Sequence, residues 1–405
     1  MTAEIVELAQ QLIRRPSRGG IDDYAPVLGV LEDWLTAREL PRRRLYDDQG
    51  ALVGLLVEVY GGRPGPWWAL DACVDTAPFG DEGAWSFPPD CGDVVDGWLR
   101  GRGAADSKLA AAMFCVIAAE LRGRAFAGGL AVLLDVDEHT GGFGGARAYL
   151  ADAEAVRPAG VMIGYPGLDE VVVGGRGFWR ATITVRAESG HSGARRTTPG
   201  AVSRAARLVR LLESSELPGA DGEFPLPPKL TVTSIRGGEG FSVVPDRCKV
   251  GVDIRTTPTF DAGAAEALVG AAVAELGTPA TVIPVASWPP FRLTEHQQPA
   301  AALLAAATRA GLTVRAKTAG PSNIGNLLAS EGIPATAGFG VRYEGLHGTD
   351  ERACLADLPT VLAVYRETVS GLLAGGPTTR PKGARGTARQ APTDPQRNDD
   401  PSAAV

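Results

Sequence analysis

No stretch of the 405-residue chain approaches the ~18 consecutive apolar residues of a transmembrane helix, so no membrane span is expected. The first residues, MTAEIVELAQQLIRRP, lack an apolar h-region, and no signal peptide is expected. Positive charge is not in excess. Forty Lys and Arg stand against 47 Asp and Glu, a net charge of -7, which argues against nucleic acid or an anionic membrane as a main partner. The five cysteines, Cys73, Cys91, Cys115, Cys248 and Cys354, form no CxxC pair. That usage suits a reduced, cytoplasmic protein rather than a disulfide framework. No internal repeat is visible.

What remains is an ordinary globular balance, 44% hydrophobic and 21% charged, in a chain long enough for two or three domains. Its most informative stretch is Leu130–Gly142, LAVLLDVDEHTGG. The apolar run reads as a buried strand, and Asp137, Glu138 and His139 follow at its end. Ionisable groups there are costly unless paired or ligated. The carboxyl ends of strands are also where open α/β sheets bind ligands. A carboxylate beside an imidazole at such a place suits a general base next to a metal ligand. A solvated strand-end turn is the rival reading.

Along the chain, apolar periodicity predicts helices to residue 15 and over Tyr24–Arg38, then strands at Leu52–Tyr60 and Trp67–Val74. The loop GRGAADSK (101–108) leads into an Ala-rich helix; Asp106 at its start could serve as no more than a helix cap. Strands alternating with helices predict a layered α/β sheet. From about Gly174 the pattern changes to β-α-β-β-α-β, which suits a small inserted domain. The expected organisation is a catalytic unit in two parts, 1–174 and 287–374, with an insertion at 175–286. The Pro-rich, polar tail from 375 is expected to be disordered.

Six short motifs then stand out: CVDTAP (73–78), GRGAADSK, DEHTGG (137–142), IGYPG (163–167), GHSG (190–193) and EGLHGTDE (344–351). Their order and spacing resemble the acetylornithine deacetylase / succinyl-diaminopimelate desuccinylase / glutamate carboxypeptidase family of zinc-dependent amidohydrolases, over roughly residues 1–373. The resemblance implies a phosphorylase/hydrolase-like mixed-sheet α/β catalytic domain carrying a ferredoxin-like α+β lid, which often also dimerises. It implies an enzyme that cleaves the amide bond of an N-acyl amino acid or small peptide with a free carboxylate. Carried over by position, Asp106 matches the bridging metal ligand and His347 a distal ligand. Glu138 matches the general base, Asp75 an orienting carboxylate, and His191 a lid imidazole that steadies the oxyanion. Arg255 matches an arginine that holds the substrate carboxylate, a task its fork geometry suits. Ser242 and Asn323 fall at substrate-loop positions where Asn and Asp are usual.

Three ligand positions depart from the family pattern. Cys73 replaces a His, His139 replaces the second Glu of a Glu-Glu pair, and Tyr165 replaces an acidic residue before Pro. By the family's geometry, Asp106, His139 and His347 make one competent site for Zn²⁺, with Fe²⁺, Mn²⁺ or Co²⁺ as alternatives. The second site would be Cys73, Asp106 and Tyr165, and tyrosine, with a pKa near ~10, is a poor ligand at neutral pH. One metal is therefore expected rather than two. Cys73 is read equally as a small buried hydrophobe. Two rival readings stay open: a repurposed enzyme that uses the metal face with Cys73 and Tyr165 for acyl-transfer or redox chemistry, and a non-catalytic relative that binds a ligand.

Overall fold

The computed structural model describes residues 2–195, 198–222 and 224–375. The expected disordered tail therefore lies outside the described residues, apart from Gly375. The larger unit is built on a nine-stranded mixed sheet. At its heart strand Gly62–Cys73 lies parallel to Phe126–Asp135 on one side and to Val161–Ile163 on the other. Leu52–Tyr60 and Arg42–Tyr46 extend the sheet antiparallel beyond Phe126–Asp135. Beyond Val161–Ile163 come Ala335–Ala337 and Glu170–Gly175, the latter flanked by Phe291–Arg292 and Arg315–Ala319.

The inner strands are apolar because both faces are covered. Helix Leu109–Leu121 packs against Leu52–Tyr60, Gly62–Cys73 and Phe126–Asp135, and helix Leu358–Leu373 against the latter two. Helix Gly144–Ala151 packs on Leu52–Tyr60 and Phe126–Asp135. Leu70, Val132 and Leu134 at the centre are wholly buried. No helix among the described residues is long and apolar enough to cross a membrane.

The second unit is a four-stranded antiparallel sheet in the spatial order Lys229–Gly237, Arg247–Thr256, Gly177–Arg186, Ala280–Trp288. Helices Ala201–Glu213 and Ala262–Leu276 pack on it. The β-α-β-β-α-β order is the ferredoxin-like arrangement. Its core, with Trp179, Ile183, Val250, Ile254, Leu208 and Val269, is separate from the main one.

Several elements differ from the sequence reading. The expected turn at 61–66 is the irregular start of a long strand, since the register shifts between Arg63 and Trp67. Arg42–Tyr46 and Glu170–Gly175 are strands without a clear apolar alternation, held by pairing at the outer parts of the sheet. A small sheet of Val94–Val95, Trp98–Arg100, Arg352–Cys354 and Tyr343–Glu344 was also unforeseen. It matters most, because pairing of Arg100 with Arg352 ties the GRGAADSK loop to the EGLHGTDE loop.

Candidate metal centre

Three parallel strands end side by side, and the site groups follow them. Cys73 and Asp135 are register partners at the ends of two of these strands. Asp75 and Val136–Thr140 continue from there. Asp106 does not cap the helix that begins at Leu109. It sits in an irregular turn, Ala104–Lys108, with a cis bond to Ser107, and its carboxylate turns inward. Ser107 Oγ donates to Asp106 Oδ1 (2.8 Å) or to the Gly164 carbonyl (2.7 Å). His347 arrives from the distal loop in a left-handed conformation (φ 58°).

The ligand atoms of Asp106, His139 and His347 all lie within 4.8 Å of one another. His347 Nε2 is 2.8 Å from Asp106 Oδ2, and His139 Nε2 is 3.5 Å from the same oxygen. The other ring nitrogen of His139 faces Asp75 Oδ2 at 3.4 Å. Asp75 is fully buried and also accepts the backbone N–H of Glu138 (3.2 Å) and His139 (3.0 Å). Asp75 thus faces the His139 ring and braces the backbone that carries it. Both ring nitrogens of His139 are buried, and each has only a long contact, 3.4–3.5 Å, to a carboxylate oxygen. A carboxylate and two imidazoles around such a ring form a donor set that fits a divalent metal such as zinc.

The electrostatics follow from this crowding. Burial alone would raise the Asp106 carboxyl, but His139 and His347 outweigh it and hold the group below the usual carboxylate range. Burial opposes charge on His139, yet Asp106 and Asp75 push the imidazole up to about 11. Burial pushes Glu138 up to about 7, with His139 pulling down and Asp106 pushing up. Its side chain is 22% exposed, so the carboxyl keeps access to the cleft. Gly141 and Gly142 shape this loop: Gly141 has φ 80°, and a Cβ on Gly142 would lie 2.2 Å from Asp137 Oδ2.

The other ligand positions are different. Cys73 joins Asp75 and His139 in a second group within 4.8 Å. Burial, then the nearby Asp106 and Glu138 carboxylates, drives its thiol well above the ordinary range. Without a bound cation, a thiolate is disfavoured there. Burial likewise drives the Tyr165 phenol above its ordinary range.

The remaining sequence candidates lie apart. His191 is exposed on a short antiparallel ribbon of the inserted unit, where Gly190–His191 pairs with Val243–Val244 and Gly193 N donates to His191 Nδ1 (3.1 Å). Ser242 adjoins the same ribbon, its carbonyl accepting from Ser192 N (2.9 Å). Arg255 stands at the foot of the inserted sheet, 2.8 Å from Asp253 and 3.3 Å from Ser322 Oγ. Asn323 caps helix Ile324–Ser330 through Gly325 N (2.8 Å).

Sequence reasoning missed four contributors. Glu351 Oε1 accepts the backbone N–H groups of Gly103, Ala105 and Asp106 (3.0–3.2 Å), and its Oε2 pairs with Arg102 at 2.6 Å. This buried brace sets the Asp106 turn. The acidic residue ending HGTDE was the available signal. Asp71 and Asp135 lie near the ends of the two strands that lead into the site, buried and with side chains lacking a hydrogen-bond partner. Burial pushes both carboxyls well above the usual range, with the charge of Glu138 adding to it for Asp71 and that of Asp71 for Asp135. Inside apolar runs they carried no separate signal.

Comparison with known proteins accounts for this arrangement. The model of peptidase family M20/M25/M40 matches residues 69–371. The chain belongs to that family. It is thereby a metallohydrolase acting on amide bonds of N-acyl amino acids or peptides. It is 27% identical over 388 residues to a succinyl-diaminopimelate desuccinylase of Halorhodospira halophila, covering 91% of this chain and 98% of that one. A desuccinylase of Cereibacter sphaeroides is 29% identical over 391 residues, with 90% and 98% covered. Among solved structures, a family metallo-carboxypeptidase from Sulfolobus solfataricus superposes with TM-score 0.75 at 14% identity, covering 92% of this chain and 99% of that one. A dinuclear metal binding peptidase from Bacillus subtilis gives TM-score 0.68 at 16% identity, with 92% and 98% covered. These structures share the expected fold.

Proposed function

We propose that this family member works with one metal, held by Asp106, His139 and His347, and hydrolyses an N-acyl amino acid or small peptide that bears a free carboxylate. The pairing of Asp106 and His139 with His347 carries this reading. A zinc ion in that seat would polarise the amide carbonyl and acidify a water.

The chain's own groups supply the rest. Glu138 takes the water's proton and delivers it to the departing amine, a shuttle suited to a carboxyl lifted toward neutrality by burial. Asp75 holds the His139 ring in place through Nδ1. Arg255 receives the substrate carboxylate from the foot of the inserted unit. The unit at 175–286 acts as a lid, and His191 reaches the oxyanion only when that lid closes or a second copy supplies it. A homodimer through the edge strands of the inserted sheet would provide such a copy. The five free cysteines support a cytoplasmic setting.

The test is metal content by elemental analysis alongside turnover of N-acyl amino acids. One equivalent per chain is expected, and the Glu138→Gln variant should keep the metal while losing turnover by about 10²–10⁴-fold. Two equivalents, or full activity in the variant, overturns the reading.

A further inference from the structure

Of the seven tyrosines in the chain, all but Tyr165 have an ordinary place for the hydroxyl. Tyr46, Tyr60 and Tyr343 are exposed to water. Tyr24 accepts the Gly20 N–H (3.0 Å), Tyr149 donates to the Val156 carbonyl (2.9 Å), and Tyr365 donates to that of Phe339 (2.8 Å). Tyr165 is half-buried, and its hydroxyl has no hydrogen-bond partner among the described residues. That oxygen is not sealed from solvent. A phenol usually finds a partner when it is taken out of water, so this one is unspent.

Its position is closely set. Ile163 is the register partner of Asp71, and two residues further along each strand stand Tyr165 and Cys73. Gly164 N donates to the Asp71 carbonyl (2.7 Å), and the Gly164 carbonyl lies 2.7 Å from Ser107 Oγ, beside Asp106. Beyond Pro166, Gly167 N donates to the Val341 carbonyl (3.0 Å) and Gly340 N to that of Gly167 (2.7 Å). A Cβ on Gly340 would stand 2.6 Å from the Tyr165 carbonyl oxygen, so glycine lets the two segments meet. Tyr165 lines an apolar crevice with Ala105, Leu109, Met113, Phe339 and Val341. The Asp106 and Glu138 carboxylates are near enough to act on the hydroxyl, Asp106 the more strongly. Burial, then these charges, hold the proton on the phenol.

We propose that Tyr165 is a further catalytic residue, whose hydroxyl donates a hydrogen bond to the oxyanion formed when water adds to the scissile amide carbonyl. The inference rests on the amidohydrolase reading above. The donor belongs to the catalytic unit, so it is in place before the lid moves, unlike His191. A fixed, partly desolvated donor strengthens its bond as charge develops on the carbonyl oxygen, and so favours the transition state over the planar amide. The proton stays on the phenolic oxygen throughout, and no base is needed to restore it.

The experiment uses the metal-loaded full chain and its Tyr165→Phe variant. The substitution removes an oxygen that no protein group depends on, so the variant should fold and hold metal as the native chain does, checked by circular dichroism and elemental analysis. With a panel of N-acetyl-L-amino acids, kcat should fall by about 10²–10³-fold while KM stays nearly unchanged. Calorimetric titration reads the donor without turnover. A phosphinate dipeptide analogue, whose tetrahedral anion stands in for the addition intermediate, should bind Tyr165→Phe at least about tenfold more weakly, and a free amino acid product should bind both proteins alike. If the native protein hydrolyses no N-acyl amino acid but still binds the phosphinate more tightly than the variant does, the amidohydrolase reading fails and the donor stands. If both proteins hydrolyse the panel with equal kcat, the reading stands and the donor is overturned. Unchanged phosphinate affinity, or metal lost from Tyr165→Phe, which would assign the phenol to ligation, also overturns it.

Discussion

Asp75 Oδ2 lies 3.4 Å from Nδ1 of His139, whose Nε2 faces Asp106. A buried carboxylate behind a ligand imidazole fixes its tautomer and ring angle and raises its basicity. Asp75→Asn should therefore weaken metal binding by about 10–100-fold. A chelator competition titration reads this directly, and circular dichroism checks that the fold is kept. Unchanged affinity would show that Asp75 merely ties down the Glu138–His139 backbone.

Metal binding should release a proton. Asp106 and Asp75 push His139 up to about 11 against the opposing effect of burial, and this favouring of the protonated ring means that a ligated metal displaces a proton. Because the competing form is the protonated one, affinity rises with pH, by about tenfold per pH unit for one proton. Competition titrations between pH 6 and 8, and calorimetry in buffers of different ionisation enthalpy, measure the slope. A flat profile would mean that the ring is already neutral.

Glu351 and Arg102 are buried partners at 2.6 Å, with side chains 0% and 2% exposed. Removing one charge strands the other. Glu351→Gln should cost about 3–5 kcal/mol of stability, seen as a shift of the urea midpoint. It should also weaken metal binding, because Glu351 Oε1 holds the Asp106 turn through three backbone N–H groups. Stability loss without any change in metal affinity would separate the brace from the site.

Asp71 and Asp135 bear on stability differently. Their folded-state pKa values are raised by burial, so above the unfolded value of about 4 the folded protein binds more protons than the unfolded one. Their contribution is fully present below that pH and is lost as pH rises through the folded values. Replacing both by Asn removes this loss. The double variant should show a flatter stability profile from pH 5 to 9 than the native protein. Parallel profiles would show that the two carboxyls ionise alike in both states.

Much of the architecture could be read from short-range pattern. Helix Ala25–Ala37 and strand Leu52–Tyr60 fall where periodicity predicts them, because their apolar spacing matches a buried face and little else competes. Strand Gly62–Cys73 begins five residues before the expected start at Trp67. That early start is set by parallel pairing of Gly62 and Arg63 with Phe126 and Ala127, which no local pattern encodes. Asp106 shows the same divide: its motif marked it as a site residue, while its position before a helix equally suited a cap. The Glu351 brace and the contact with His347 decided between them.

The linear chain by itself determined the two-unit plan, the β-α-β-β-α-β insertion, and which residue types could ligate a metal, since all three reside in composition, periodicity and motif spacing. Tertiary structure alone decided that Asp75 comes to face His139, that Glu351 sets the Asp106 turn, and that His347 meets Asp106. Each of these depends on groups distant in sequence meeting within a few ångströms, where burial and unscreened charge change what a side chain can do.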